Sequence, residues 1–445
     1  MKEYRANVAK QHLGIDRRSF TSLVLLAGAG AALPDGAWAA SSDPLSGDSL
    51  FALVRQYDRI GEHRTATPGD EATSAWMTAE LQAAGFTVKL QPFEIPLFDP
   101  VRTEIAAGAS APITDAFPLW PPRPTPPEGL TGALSMDGNA QADGRILVVD
   151  LPYTRGGSLS APPMLRAIDA AVARRPLAIV GITDSPTGEV VAQNVDITRP
   201  QWPMPILLVG TRAGAVLKRA AAAGERATLI STGSVRPRAR ATNVVARRPG
   251  RGKAIIVSTP KSGWFHVAGE RGAGIALFLG LAAWAARQTD ANLLFVATSG
   301  HELGNHGGHL FQKALAPRPS DVRLWMHIGA NVASNAVAFD ACGRVQRLPG
   351  VNPTRGMLAS EAVAAAARSG FSGQPGYETP APENTDRAVG EVEVFRDAGY
   401  SPIVGLVGGH PLHHTRLDRA DVATSPAALE PVARGLAAII RSVAR

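Results

Sequence analysis

The stretch Asn292-Leu293-Leu294-Phe295-Val296-Ala297-Thr298-Ser299-Gly300-His301-Glu302-Leu303-Gly304-Asn305-His306-Gly307-Gly308-His309 decides how the chain is read. Its opening run, 292–298, is short, apolar and free of Gly and Pro, the pattern of a strand buried on both faces. Two ionisable residues, His301 and Glu302, follow almost at once. In open sheets of parallel strands, ligands gather beyond the carboxyl ends of the strands. Ionisable groups there point to a site; a polar turn is the plainer alternative. The stretch also approaches the zincin pattern His-Glu-x-x-His, which needs two histidines four apart on one helical face. Residue 305 is Asn, His306 is five places from His301, and Gly304, Gly307 and Gly308 make a poor helix of that kind, so the zincin reading is rejected.

Strands and helices alternate outward from this stretch. Strands are expected at 254–258, 322–328 and 402–407, and helices at 273–287, 304–314, 360–368 and 427–443. This order predicts an α/β fold, a mostly parallel central sheet with helices on both faces. Upstream, helices at 50–60 and 71–84 flank a Gly/Thr/Pro loop, and Gly85 stops the second before a strand at 86–93. Trp120-Pro121-Pro122-Arg123-Pro124 and Pro126-Pro127 read as a linker. Between about 130 and 232 a second rhythm appears, with strands at 145–149, 178–182 and 206–209 and helices at 163–173 and 213–223.

At 445 residues the chain exceeds what one hydrophobic core usually organises, so two folded units are expected after a processed leader. With 45% hydrophobic and 19% charged residues it reads as an ordinary globular protein. The formal charge of +7 is dispersed except at 236–253, where Arg236, Arg238, Arg240, Arg247, Arg248, Arg251 and Lys253 cluster. That segment lacks interleaved aromatics and any zinc-finger or heptad context, so it reads as a solvated surface and nucleic acid is not an expected partner. The single cysteine, Cys342, excludes an intrachain disulfide and a cysteine-based metal cluster, so any metal must use His, Asp or Glu.

Asp16-Arg17-Arg18-Ser19-Phe20, an apolar run at 23–33 and Ala37-Trp38-Ala39 before Ala40 form a signal peptide. The x-Phe after the paired arginines and the glycine-containing, mildly hydrophobic core favour twin-arginine export over the general secretory route. The expected partner is then the twin-arginine export machinery, and the expected location is the periplasm or the exterior. The apolar run at 273–286 is too short for a membrane span, so no transmembrane anchor is expected in the mature chain.

Four segments resemble metallopeptidase family 28, the co-catalytic zinc aminopeptidases, which also includes glutaminyl cyclases and the non-catalytic transferrin receptor. They are Asp58-Arg59-Ile60-Gly61 with Arg64 and Thr67-Pro68-Gly69; Thr242-Asn243-Val244-Val245 with Pro249-Gly250; Phe295 to Gly308; and Leu412-His413-His414-Thr415 with Asp418. The second rhythm resembles a protease-associated domain, through Gly144-Arg145-Ile146-Leu147-Val148-Val149 and Ile179-Val180-Gly181-Ile182. With the signal peptide at 1–39, the resemblance implies a catalytic domain in two parts, 40–105 and 239–445, and a linker with the protease-associated-like insert at 106–238.

The resemblance also implies a dinuclear metal site, which this chain carries only in part. The family's His-x-Asp segment falls on Thr259-Pro260-Lys261, and a later Asp falls near Gly329, so both ligands private to one metal are missing. The bridging Asp falls on Glu270, the second Glu of the family's pair on Glu302, and the final His on His414, with His413 in the usual Tyr place. Glu270, Glu302 and His414 form a coherent set for one zinc with a position open to water; manganese or iron would also suit carboxylates. His301 takes the general-base position, where an imidazole with a pKa near ~6.5 accepts a proton at neutral pH. Glu391 falls where the family carries a further acidic residue.

Each assignment has a plainer competitor. Glu270 with Arg271 would cap the apolar helix after them. His306 and His309 read as structural or pocket-wall residues, and His266 or His327 would restore a lost ligand if either met Glu270. Lys261 would fill vacated metal space with its own charge. Three functions stay open. The first is hydrolysis of a peptide or small amide, the second glutaminyl-cyclase-like chemistry, and the third a non-catalytic binding protein on the peptidase fold.

Overall fold

The computed structural model describes residues 43–136, 142–154, 157–340, 342–385 and 390–444, and the expected leader at 1–39 lies outside them. Helices α1 (Gly47–Ile60) and α2 (Pro68–Ala83) lead into a 21-residue strand, β1 (Thr87–Ala107). Next come β2 (Ala116–Pro118), β3 (Leu130–Met136), β4 (Ile146–Asp150), α3 (Pro162–Ala173), β5 (Ala178–Thr183), β6 (Ile206–Gly210) and α4 (Thr211–Ala222). The 23-residue β7 (Arg226–Arg248) then returns antiparallel to β1. After it the chain alternates through β8 (Arg251–Pro260), α5 (Ala273–Gln288), β9 (Ala291–Thr298), α6 (His306–Ala314) and β10 (Val322–Ile328). A hairpin of β11 (Asn335–Phe339) and β12 (Val345–Val351) precedes β13 (Arg355–Ala359), α7 (Glu361–Gly370), β14 (Ala381–Pro382) and α8 (Val392–Asp397). The chain closes with β15 (Ile403–Gly408), α9 (Ala420–Ala423) and α10 (Pro426–Val443).

Among the described residues thirteen strands form one sheet, ordered β14-β13-β15-β10-β8-β9-β7-β3-β4-β5-β6-β2, with β1 on β7. Pairing is parallel across β9, β8, β10 and β15, and again from β3 to β6. One edge of β7 carries β1 along almost its whole length, and the other carries β3 at one end and β9 at the other. The expected boundaries at 105/106 and 238/239 therefore fall inside continuous strands, and the described residues from Asp43 onward belong to one compact unit.

The strand expected to end at Phe93 runs on to Ala107, through Pro96 and Pro100. Its ladder is with β7, apart from a single bridge between Ile105 and Ile113, so the prolines sit on an edge strand where a missing N–H is tolerated. Register shifts between Ile95 and Leu97 and between Pro100 and Arg102 mark where the strand bulges. The basic segment at 236–253 lies largely on this ribbon, where Arg236 pairs with Asp99 and Arg238 with Glu94.

Alternation sorts the core. Ile255 and Val257 of β8 and Leu293 and Phe295 of β9 pack in the layer that holds α1, α2, α5 and α10. Their neighbours Ile256, Leu294 and Val296 pack on the other side with Phe311 of α6 and Phe395 of α8. Every residue of α5 from Ala273 to Ala285 is buried, as expected of a helix apolar all round. No helix among the described residues is long and apolar enough to cross a membrane.

Charge fixes α1 against the loops that build the site. Asp58 of α1 accepts from His266 Nδ1 at 3.0 Å, Arg419 Nε at 2.8 Å and Ala420 N at 3.2 Å. Burial alone would raise Asp58, but these donors outweigh it and hold the carboxyl at about 2. The bond to Asp58 raises His266 above its usual value, against burial and the Arg419 charge.

Two outcomes follow. The Phe295 ring meets those of Phe86 and Phe278 edge-on, at 5.2 and 5.1 Å, so Phe295→Ala should cost about 3–5 kcal/mol in a urea unfolding titration. Because His266 is raised in the folded state, its contribution is complete below its unfolded value, about 6.5, and is lost as pH rises through the higher folded value. Asp58 stays ionised throughout that window. The wild type should therefore exceed His266→Gln in stability by up to about 1 kcal/mol near pH 5.5, and by less near pH 8.5, in paired urea titrations.

Candidate functional site

The parallel strands β8, β9, β10 and β15 end together, and the loops at 261–272, 299–305, 329–334 and 409–418 converge beyond them. After β8 the chain makes one π-helical turn, Ala268–Gly272, before α5. The Asp418 carboxylate holds this turn by accepting from Gly269 N at 2.7 Å and Glu270 N at 2.9 Å. A Cβ on Gly269 would lie 2.6 Å from Ala423 Cβ and 2.8 Å from Asp418 Oδ1, so the close approach requires glycine. Burial, and then the Glu270 charge, push Asp418 up to about 7. The turn carries Glu270 and Arg271 inward, both buried. Glu270 does not cap α5: neither of its oxygens has a hydrogen-bond partner, and Asp418 takes the backbone donors instead.

Glu270 meets two histidines. Its Oε1 is 3.3 Å from His414 Nε2, and its Oε2 is 3.5 Å from His413 Nδ1. The two rings stack at 3.8 Å, and His414 has a left-handed backbone at φ 58°, unusual for a residue with a side chain. His414 Nδ1 lies 2.9 Å from Ala192 O, which can only accept, so Nδ1 carries the proton and Nε2 of the neutral ring is a lone pair. Burial would raise Glu270, but His413, His414 and Arg271 hold it well below the usual carboxylate range. Ligands ~2.0–2.1 Å from a tetrahedral ion stand about 3.3–3.4 Å apart, close to the separations here. Glu270 Oε1 also pairs with Arg271 Nη2 at 2.7 Å, and His413 Nδ1 lies 2.9 Å from Asn331 Nδ2. His414 Nε2 is buried without a hydrogen-bond partner, and Glu270, His413 and His414 are the group among the described residues close enough to share one ion.

The expected ligand Glu302 lies outside this group. Its Oε1 accepts from Thr65 N and Thr65 Oγ1 at 2.7 and 2.6 Å, and its Oε2 accepts from Ser262 Oγ at 2.7 Å. Those three donors engage most of its lone pairs, and Glu302 is not among the residues close enough to share an ion. Lys261 does not face the metal donors either, because its ammonium pairs with Asp70, which also accepts from Ser299 Oγ and Ala66 N.

His301 and Glu391, each listed separately from the sequence, lie with Nδ1 3.5 Å from Oε2. Their proton affinities differ from expectation. Burial, and then the Arg271 charge, pull His301 well below 6.5, so it is neutral at neutral pH and a weaker base than a free imidazole. Burial raises Glu391 to about 7, although Thr298 Oγ1 donates to its other oxygen. Of the two, Glu391 exchanges a proton near neutrality.

The remaining histidines separate. His266 is tied to Asp58; His410 Nε2 is 3.0 Å from Asn335 O; His306 is half-buried against Phe93; and His309 is exposed. His327 Nδ1 is 2.9 Å from Ser258 Oγ, and burial and then Arg271 lower it to about 3. Sequence reasoning gave no ligand role to His413 and no site role to Arg271. The His413-His414 doublet, and an arginine directly before a wholly apolar helix, were the available signals.

The segment between β3 and β7 covers this group. Besides the Ala192 contact, Val195 N donates to Glu302 O, and a Cβ on Gly157 would fall 2.4 Å from His414 Nδ1. A cavity of about 190 Å³ opens beside it, with His410 and His413 on one side and Thr154, Met164 and Gln193 on the other.

No family model matches the sequence, and no curated protein is significantly similar to it. Solved structures are similar. BSAP, a zinc aminopeptidase from Bacillus subtilis, superposes with a TM-score of 0.69 at 16% identity, over 91% of this chain and 97% of its own. A peptidase M28 precursor from Shewanella amazonensis gives 0.69 at 15% identity over 90% and 96%. The aminopeptidase from Aneurinibacillus sp. strain AM-1 gives 0.60 at 16% over 90% and 95%. The chain therefore has the α/β fold of the zinc aminopeptidases, the family its sequence resembles.

Proposed function

We propose that this chain is an exported hydrolase of an amide or peptide bond, aminopeptidase-like, that works with a single divalent metal ion. The observation that carries the reading is the group of Glu270, His413 and His414, with Glu270 and His414 buried and His413 half-buried, whose ligand atoms all lie within 4.8 Å of one another. Glu270, His413 and His414 would hold the ion. When bound, such an ion polarises a carbonyl and makes a bound water more acidic.

The chain's own groups do the rest. Glu391, raised to about 7, takes a proton from the attacking water and returns it to the leaving amine. His301, kept neutral by burial and by Arg271, lies beside the Glu391 carboxyl and orients it. Asp418 keeps the turn at 268–272, and so the Glu270 carboxylate, in place. Residues 106–238 act as an insert that lids the site, and the cavity beside His413 receives the substrate. The fold of zinc aminopeptidases supports a peptide or small amide substrate, and Arg17-Arg18 with the Ala39–Ala40 junction supports export to the periplasm or exterior.

Purified protein should carry one zinc, manganese or iron per chain by elemental analysis, and should hydrolyse aminoacyl anilides until a chelator is added. His414→Ala should lose the ion. Glu391→Gln should keep it while turnover falls about 10²–10⁴-fold. A Gln-leading peptide followed by mass spectrometry separates gain of water from loss of ammonia, the mark of cyclase chemistry. Neither bound metal nor activity would leave the non-catalytic reading.

A further inference from the structure

The cavity beside His413 measures about 190 Å³, well short of the roughly 300–1,000 Å³ of pockets that take a whole small-molecule ligand, so it fits one side chain of a substrate. Most of the polar groups in its wall are already committed. Thr183 Oγ1 donates to Val209 O and accepts from Val191 N, both at 3.0 Å, and Ser185 Oγ lies 2.7 Å from Thr187 Oγ1. His410 donates from Nε2 to Asn335 O at 3.0 Å and accepts from Leu412 N at Nδ1 at 3.2 Å. Two groups differ: Thr154 Oγ1 and Gln193 Oε1 are buried without a hydrogen-bond partner, and Gln193 as a whole is 3% exposed. Gln193 Nε2 donates to Val191 O, which can only accept, at 3.2 Å, so the unmet atom is the amide oxygen.

Loose packing does not account for that oxygen, because the residues on either side of it are pinned. Ala192 N donates to His414 O at 3.1 Å and Ala192 O accepts from His414 Nδ1; Asn194 N donates to Gly157 O at 2.7 Å and Asn194 Oδ1 accepts from Trp264 Nε1 at 3.0 Å. A buried acceptor without a donor costs free energy that an incoming donor recovers. Met164, 2% exposed, adds an apolar wall. Among the described lining residues there is no Lys or Arg, whereas Asp184 contributes a carboxylate, so an anionic group is disfavoured. We infer that this cavity is the specificity subsite for the side chain next to the scissile bond, where Gln193, with Thr154, selects a short neutral side chain that donates a hydrogen bond, such as asparagine or threonine, over leucine or aspartate. The substrate's N–H or O–H donates to Gln193 Oε1, and the Thr154 hydroxyl donates to or accepts from the same side chain. The inference rests on the proposed reading of the cavity as the substrate's place and adds which substrates it takes.

Anilides of asparagine, threonine, leucine and aspartate are compared by kcat/KM for wild type, Gln193→Met and Thr154→Val. In parallel, the rise in melting temperature on adding asparagine amide or leucine amide is read for the same three proteins. Asparagine and leucine have nearly the same shape, so their ratio isolates the hydrogen bond. Wild type should favour asparagine over leucine by about 10–100-fold, because leucine leaves Gln193 Oε1 buried and unmet. Each variant should cut that ratio by about fivefold or more, lowering kcat/KM for asparagine and raising it for leucine. Asparagine amide should stabilise wild type more than leucine amide does, and the variants should lose that difference. If Gln193→Met does not fold, Thr154→Val carries the same test. The inference is overturned if wild type favours leucine or aspartate, if the folded variants keep the wild-type ratio, or if wild type neither turns over the anilides nor prefers asparagine amide. The outcomes also separate the two readings. Hydrolysis at a ratio that the variants leave unchanged keeps the hydrolase and removes the subsite, whereas an amide preference that the variants lose, without turnover, does the reverse.

Discussion

The ion pair between Glu270 and Arg271 sits where almost no water reaches, and much of the structure around it serves to make that tolerable. Removing a carboxylate and a guanidinium from water costs several kcal/mol per ion, and their mutual attraction repays this only when the remaining polar atoms are also met. Around the pair the protein meets that demand unevenly. The outer charges are fully engaged: Lys261 with Asp70, Asp70 with Ser299 and Ala66, and Glu302 with Thr65 and Ser262. The inner atoms of Glu270, Arg271, His301, His327, Glu391 and His414 are not.

That contrast marks where buried polar atoms are left without hydrogen-bond partners. A fold that satisfies its peripheral carboxylates with three donors apiece does not leave the central ones unpaired through poor packing, because the same loops supply both. Under the proposed function these atoms meet the ion and the reacting groups. The environment also divides labour among similar side chains. Glu270 is held ionised by His413, His414 and Arg271 beside it, whereas Glu391 and Asp418, equally buried, are pushed up to about 7. One carboxylate suits coordination, and the raised ones suit holding protons.

The two long strands β1 and β7 make the site coverable. Because β7 pairs with β9 at one end and β3 at the other, the segment that lids His414 is anchored in the same sheet as the residues it covers. The Ala192 carbonyl that sets the His414 tautomer thus arrives on a framed loop. Its position matters as much as the histidine, since a ring held by Nδ1–H presents Nε2.

The sequence by itself determined the strand and helix order, because short apolar runs such as 292–298 and the wholly apolar 273–286 admit few local structures. It also determined that the ionisable residues after those strands gather at one end of a parallel sheet. Only the tertiary structure decided which of them meet. In sequence Glu302 read as a metal ligand and His413 did not, yet Thr65, 237 residues from Glu302, donates to its carboxylate. The stacking of His413 on His414 turns it toward Glu270. The extension of β1 past Phe93 likewise depended on an edge that only the completed sheet defines. Arg271 read as part of a helix cap, because the cost of its charge becomes visible only once folding has buried it.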